Sequence, residues 1–167
     1  MSRAFVKEDG NDLEPLPDLP LSPHPNYVTP RGLADLQSRL AAAQARLTQL
    51  RARPDRLDKL PEAATERDIR YLEARLRSAI VIDPKTLPLT EVAFGLCVRV
   101  ADDQDLEITY EITGEDEADA PLRRIAPHAP LARALIGAQV GDSVTWRKPS
   151  GAVTLEILGI SHADPPA

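Results

Sequence analysis

The chain has 167 residues, with 20 Lys and Arg against 26 Asp and Glu for a net charge of -6, and it is 43% hydrophobic but only 4% aromatic. That length predicts one domain or two small ones, and Phe5, Tyr27, Tyr71, Phe94, Tyr110 and Trp146 are too few rings for an aromatic-lined ligand pocket or a base-stacking platform. The single Cys97 excludes an internal disulfide and a cysteine-cluster metal site, and no apolar run reaches the ~18 residues that a membrane span needs.

The first nine residues, Met-Ser-Arg-Ala-Phe-Val-Lys-Glu-Asp, lack the apolar stretch of a secretory signal. A soluble cytoplasmic protein is expected. Six of the 16 prolines follow within the first 30 residues, at Pro15, Pro17, Pro20, Pro23, Pro25 and Pro30. Each removes a backbone donor and disfavours helix at the residue before it, so residues 1–28 are expected to be an extended or disordered tail.

Thr29-Pro30 reads as a helix start, with Thr29 as the cap and Pro30 at the first helical position. Leu33, Leu36, Leu40, Ala43, Leu47 and Leu50 then repeat at alternating spacings of 3 and 4, the apolar seam of a coiled coil. Arg53-Pro54 stops this helix. A second seam, Thr65, Ile69, Leu72, Leu76 and Ala79, begins near Pro61. Two seams of matched length joined by a short charged loop predict an antiparallel helical hairpin over residues 29–83. The alternative is that the same seams zip two chains together into a dimer; the short loop favours the hairpin and a monomer.

After Val81-Ile82-Asp83-Pro84 the period changes to two. Val92, Phe94, Leu96, Val98 and Val100 alternate, as do Leu106, Ile108, Tyr110 and Ile112, with Asp102-Asp103-Gln104 as the turn between them. Leu131 to Ile136 reads as a short helix ending at Gly137. Val144 to Lys148 and Ala152 to Ile160 follow as strands. Residues 84–163 therefore form about four antiparallel strands with one short helix, and 164–167 are a tail. The whole is an α+β protein.

Charge is unevenly placed: residues 1–28 carry -3, residues 29–83 carry +3 and residues 84–167 carry -6. Free nucleic acid is a poor partner for such a chain, whereas a mildly basic rod suits an acidic cleft of another protein. Catalytic signals are sparse. His24, His128 and His162 have no metal-ligand spacing, Cys97 has no neighbouring base, and the glycines form no phosphate loop, so no enzyme activity of its own, no metal site and no cofactor are expected. The exception is the hairpin loop, where Asp55, Asp58 and Glu62 could present oxygens to a hard cation held mainly by another molecule; the alternative is that Arg56 and Lys59 pair with them as a solvated tip.

The Tyr27-Val28-Thr29-Pro30-Arg31-Gly32-Leu33 start, the helical hairpin and the Val-Ile-Asp junction resemble the GreA/GreB transcription elongation factors of bacteria. Gly114-Glu115-Asp116-Glu117-Ala118-Asp119, Pro130-Leu131-Ala132-Arg133-Ala134-Leu135-Ile136-Gly137 and Val140-Gly141-Asp142 are similar to motifs of the same family. The resemblance implies a C-terminal domain of FKBP-like fold docking on RNA polymerase, with the coiled coil inserted into the secondary channel. In cleaving members of that family an acidic tip helps hold a Mg2+ ion and water in the polymerase's own active centre, so the resemblance implies no cofactor of the chain's own and at most an indirect contact with that Mg2+. Asp55, Asp58 and Glu62 are the tip candidates; Asp116, Glu117, Pro130, Leu131, Ala132 and Leu135 are the docking candidates, the alternative for Leu131, Leu135 and Ile136 being core packing of a short amphipathic helix.

This chain departs from the family pattern at the rod. Its arms are shorter by about one heptad each, which at 1.5 Å per residue retracts the tip by roughly 10 Å. The family's tip motif, an Asp three residues before a Glu followed by Asn-Ala, is replaced by Asp55-Arg56-Leu57-Asp58. A shortfall of that size is expected to abolish tip-assisted cleavage, as in short-armed Rnk-like relatives that occupy the channel or compete with other channel factors. Fold analogy alone offers an alternative, an FKBP-like peptidyl-prolyl isomerase, but Phe94, Tyr110 and Trp146 are too scattered to suggest its aromatic pocket.

Overall fold

The computed structural model describes residues 14–163. The readings of residues 1–13 and 164–167 lie outside it. In chain order the elements are β1 (Tyr27–Val28), α1 (Pro30–Arg51), α2 (Leu60–Ser78), β2 (Ile80–Val81), β3 (Leu96–Ala101), β4 (Glu107–Ile112), β5 (Arg124–Ile125), α3 (Pro130–Leu135), β6 (Ser143–Lys148) and β7 (Gly151–His162). The fold is a helical hairpin followed by a curled sheet with a short helix, an α+β arrangement.

Helix α1 starts as its sequence dictates: the Thr29 hydroxyl accepts from the Gly32 N–H at 3.0 Å, and Pro30 takes a position whose N–H no helix bond requires. From Leu33 on, the seam positions Leu33, Leu36, Leu40, Ala43, Leu47 and Leu50 are the shielded ones along this helix, while the residues between them face water. Leu36 and Leu72 close the centre of the hairpin core with Val28, and Leu33, Leu40, Ala43, Tyr71, Leu76 and Ala79 pack around them. Each of the two buried leucines contributes about 1.5–3 kcal/mol. The seams meet within one chain, as the hairpin reading requires.

The second core lies between α3 and one face of the sheet. Val98, Val100, Ile112, Leu155 and Ile157 supply the sheet side, and Leu131, Ala132 and Leu135 supply the helix side. The sheet has the order β5-β4-β3-β7-β6, with antiparallel pairs throughout except the short parallel pair β4-β5. Four of its five strands are those expected from the alternation. Strand β5 carries two residues, too few to show a period.

The structure differs from the sequence reading at two further places. The alternation from Val92 to Val100 is not one strand: Gly95 has φ of +85° and donates to Ile112 O, so the chain turns there and β3 begins at Leu96. Val92 and Phe94 still reach the core from that turn. A side chain at 95 would also meet Pro84. The second difference is β1, which pairs in parallel with β2 through Tyr27–Ile80 and Val28–Val81. The last two residues of the expected tail thus form part of the base of the rod.

Candidate functional site

Two places gather charge: the loop at the far end of the rod and the joint between rod and sheet domain. In the loop, residues 52–59, Asp55 Oδ1 accepts from the Leu57 N–H at 3.0 Å and Asp58 Oδ1 from the Leu60 N–H at 3.0 Å. These local turns are what Asp favours, and they let α2 start without a side-chain cap. Glu62 is gripped by Arg56, through Nε at 3.0 Å and Nη2 at 2.6 Å, and its side chain is 8% exposed. All three tip candidates therefore have partners within the chain. Leu57 stands out between them, 88% exposed. Among the described residues no group of three or more His, Cys, Asp or Glu side chains could hold a metal ion.

The hydrogen bonds from Arg56 outweigh the cost of shielding and hold the Glu62 carboxyl below the usual glutamate range. A depressed folded-state pKa means that the clasp contributes fully above the unfolded glutamate value of about 4.3 and is lost as pH falls through the lower folded value. An NMR titration of the Glu62 carboxyl is expected to give a midpoint below that of the same group in Arg56→Gln. Equal midpoints would show that the clasp does not form in solution.

The joint centres on the 3-10 turn Glu115–Glu117, which follows β4 and faces the base of both helices. Asp116 accepts from Tyr71 Oη at 2.8 Å and from Arg75 Nε at 2.7 Å. The side chains of Arg75 and Asp116 are 3% and 9% exposed, so this is a buried ion pair. Glu115 Oε2 lies 3.5 Å from Arg75 Nη2, and its Oε1 accepts from Ser22 Oγ at 2.7 Å. Glu117 accepts from Thr29 Oγ1 at 2.7 Å and from Arg31 Nε at 3.3 Å, with a longer contact from the Thr29 N–H. Arg31 also donates to Glu111 Oε1 at 2.6 Å on the adjoining strand.

Electrostatics follow this geometry. Burial works against the Arg31 charge, but the hydrogen bond and charge of Glu111, joined by Glu117, overcome it and raise the guanidinium pKa. Burial and the bond to Asp116 raise the Tyr71 phenol above its ordinary value. Each member of the acidic turn thus meets a different part of the neighbouring structure: Glu117 holds α1, Asp116 holds α2, and Glu115 reaches both α2 and the N-terminal segment.

Glycine at 32 belongs to this joint, because a Cβ there would overlap the carboxyl group and Cγ of Glu117. Alanine is ordinarily the better helix former by about 1 kcal/mol, yet Gly32→Ala must displace a bonded carboxylate, and such overpacking costs about 1–3 kcal/mol. Urea unfolding is expected to show Gly32→Ala less stable than the parent. In a Glu117→Ala background the same change should become neutral or stabilising; a stabilising effect in the parent itself would contradict the packing.

The docking candidates are placed as follows. The Asp116 and Glu117 carboxylates are engaged in the joint. Leu131, Ala132 and Leu135 are 4%, 0% and 0% exposed in the sheet core, and Pro130 is exposed at the start of α3. Sequence reasoning missed Arg31, Tyr71, Arg75 and Glu111. The available signal was complementarity: an arginine stands at the base of each helix, and Glu115–Glu117 is a dense acidic turn.

The arrangement is a rod bolted by buried charge to a small sheet domain. Residues 87–162 match the family model "Transcription elongation factor, GreA/GreB, C-term". Similar curated proteins are the transcription elongation factors GreA of Pseudomonas putida, 44% identical over 103 residues, and of Pseudomonas aeruginosa, 42% identical over 103 residues. The matched segments cover 60% of this chain in both cases, and 64% and 65% of those proteins. The chain thus spans a little under two thirds of the length of these relatives. Among solved structures, a GreA/GreB factor from Nitrosomonas europaea aligns with 82% of this chain and 99% of its own, at 24% identity and a TM-score of 0.42. Gfh1 of Thermus thermophilus aligns with 82% and 99%, at 20% identity and a TM-score of 0.38. Residues 87–162 are thus similar to the C-terminal domain of the GreA/GreB transcription elongation factors.

Proposed function

We propose that the protein is a Gre-like regulator that binds RNA polymerase through its C-terminal domain, inserts its short coiled coil into the secondary channel, and does not stimulate transcript cleavage. The observation that carries this reading is the buried joint: with Asp116 on Arg75 and Glu117 on Thr29 and Arg31, a docked sheet domain dictates where the rod points. The rod itself is short. Helix α1 has 22 residues, about 33 Å at the usual rise. Its tip carboxylates are engaged by backbone N–H groups and by Arg56, which leaves no convergent oxygen cluster to share a cation with a polymerase. The factor acts by occupying space, with catalysis left to the polymerase and no cofactor of its own.

Pull-down with core RNA polymerase at micromolar protein is expected to retain the chain; no binding rejects the reading. Backtracked elongation complexes are then expected to cleave RNA at the same rate with or without the factor, and equally with Asp55→Ala and Asp58→Ala. Stimulation that either substitution removes would instead assign the tip a cleavage role.

A further inference from the structure

The hairpin is fastened to the sheet domain mainly at one turn, residues 115–117, and by Arg31 on Glu111 of the adjoining strand. That joint sets the mean direction of the rod, and a rod held only at its base can still rock about it. The structure contains a second attachment away from the base. Working back from β1, Asn26 Nδ2 donates to Arg75 O at 2.8 Å, the His24 ring stacks on His128 at 4.4 Å between centroids and 11° between planes, and Ser22 Oγ donates to Glu115. Further back, Asp18 pairs with Arg70 Nε at 2.6 Å, and Arg70 Nη2 donates to Leu16 O at 2.7 Å. Leu19 lines a groove of about 540 Å³ between the helices with Ala43, Tyr71 and Leu72.

These contacts form a line. Ser22 and His24 hold the sheet domain, and Asp18 and Leu16 hold α2 at Arg70, five residues nearer the tip than Arg75, or about 8 Å along the helix. The segment between is short and carries Pro20 and Pro23, whose fixed φ removes slack. A flexible linker tied at the same points would tolerate rotation of the rod; one stiffened by proline resists it.

We infer that residues 16–26 are a strut that fixes the direction of the rod relative to the sheet domain. This gives the proline-rich composition a mechanical reason: the strut acts by stiffness and offset, since an exposed pair such as Asp18–Arg70 is weak in itself. It deepens the proposed function, because a rod entering an opening in a partner must be aimed. The test below contains no polymerase, so failure of either reading leaves the other standing.

Spin labels are placed at Leu57→Cys on the tip and Thr145→Cys on exposed strand β6, in full-length protein carrying Cys97→Ser, and the distance distribution is measured by pulsed electron resonance. The parent is expected to give a single narrow distribution. Asp18→Asn/Ser22→Ala/His24→Ala should widen it at least twofold while circular dichroism stays that of the folded parent. Pro20→Gly/Pro23→Gly, which keeps every side-chain contact, should widen it by a smaller factor and serves if the triple variant does not fold. An unchanged width in the folded triple variant or in the proline variant would overturn the strut.

Discussion

Replacing Arg75 by alanine should lower the melting temperature by on the order of 10 °C, the largest effect expected of any single charged side chain in the molecule. Arg75 is 3% exposed and its guanidinium faces Asp116, itself 9% exposed, with Glu115 close behind. Removing the cation strands buried carboxylate charge, and breaking such a pair costs about 3–5 kcal/mol. In a chain of this size each kcal/mol moves the midpoint by about 2–4 °C. Replacing both partners behaves differently, because no charge is then left without a counterpart. Arg75→Met/Asp116→Leu should recover much of the loss, as buried pairs exchanged for apolar residues commonly do. A double variant no better than Arg75→Ala would mean that the pair is not where the stability lies.

The second large effect concerns α3. Leu135→Ala should destabilise by about 2–5 kcal/mol, the cost of deleting a core leucine and leaving a cavity, since its side chain is wholly buried against the sheet. Ile136, next along the chain, is 42% exposed, and Ile136→Ala should fall within the roughly 0.5 kcal/mol typical of surface changes. Comparing the two separates packing from docking. If the segment binds polymerase as proposed, the affinity of the folded fraction should be kept in Leu135→Ala, because that side chain has no open surface to offer. A loss of affinity at temperatures where Leu135→Ala remains fully folded would make Leu135 a contact residue after all.

Much of the fold was legible because it is written in periods. The 3-4 spacing from Leu33 to Leu50 and from Thr65 to Ala79 specifies one apolar stripe per helix, and the short charged loop then brings the stripes together. Alternation likewise marked β4, β6 and β7. What escaped has no period. A glycine with positive φ looks like any glycine, so the turn at Gly95 was hidden inside an apparently continuous strand. The two-residue strands β1, β2 and β5 are set by what lies opposite them and not by their own composition.

The candidate site was legible in part and for a similar reason. Asp55 and Asp58 lie in the tip loop and Glu62 in the first turn of α2, and Arg56 pairs with Glu62, as the alternative reading of a charged tip allowed. Asp116 and Glu117 stand out as a motif without revealing which way they face. Tyr71 and Arg75, the partners of Asp116, lie more than 40 residues away in sequence and Thr29 and Arg31, the partners of Glu117, lie farther still; pairings over such distances emerge only once the hairpin has folded back on the sheet domain.

The central claim is that the rod enters the polymerase while the sheet domain stays outside. The most direct measurement places a photo-crosslinking residue at Leu57, the most exposed large apolar side chain of the tip, and maps the adducts formed with core RNA polymerase. The expected result is crosslinks to polymerase residues lining the secondary channel, absent when the label sits at Thr145 on β6. Binding without any channel crosslink from Leu57, or with adducts only on the outer surface, would contradict the account.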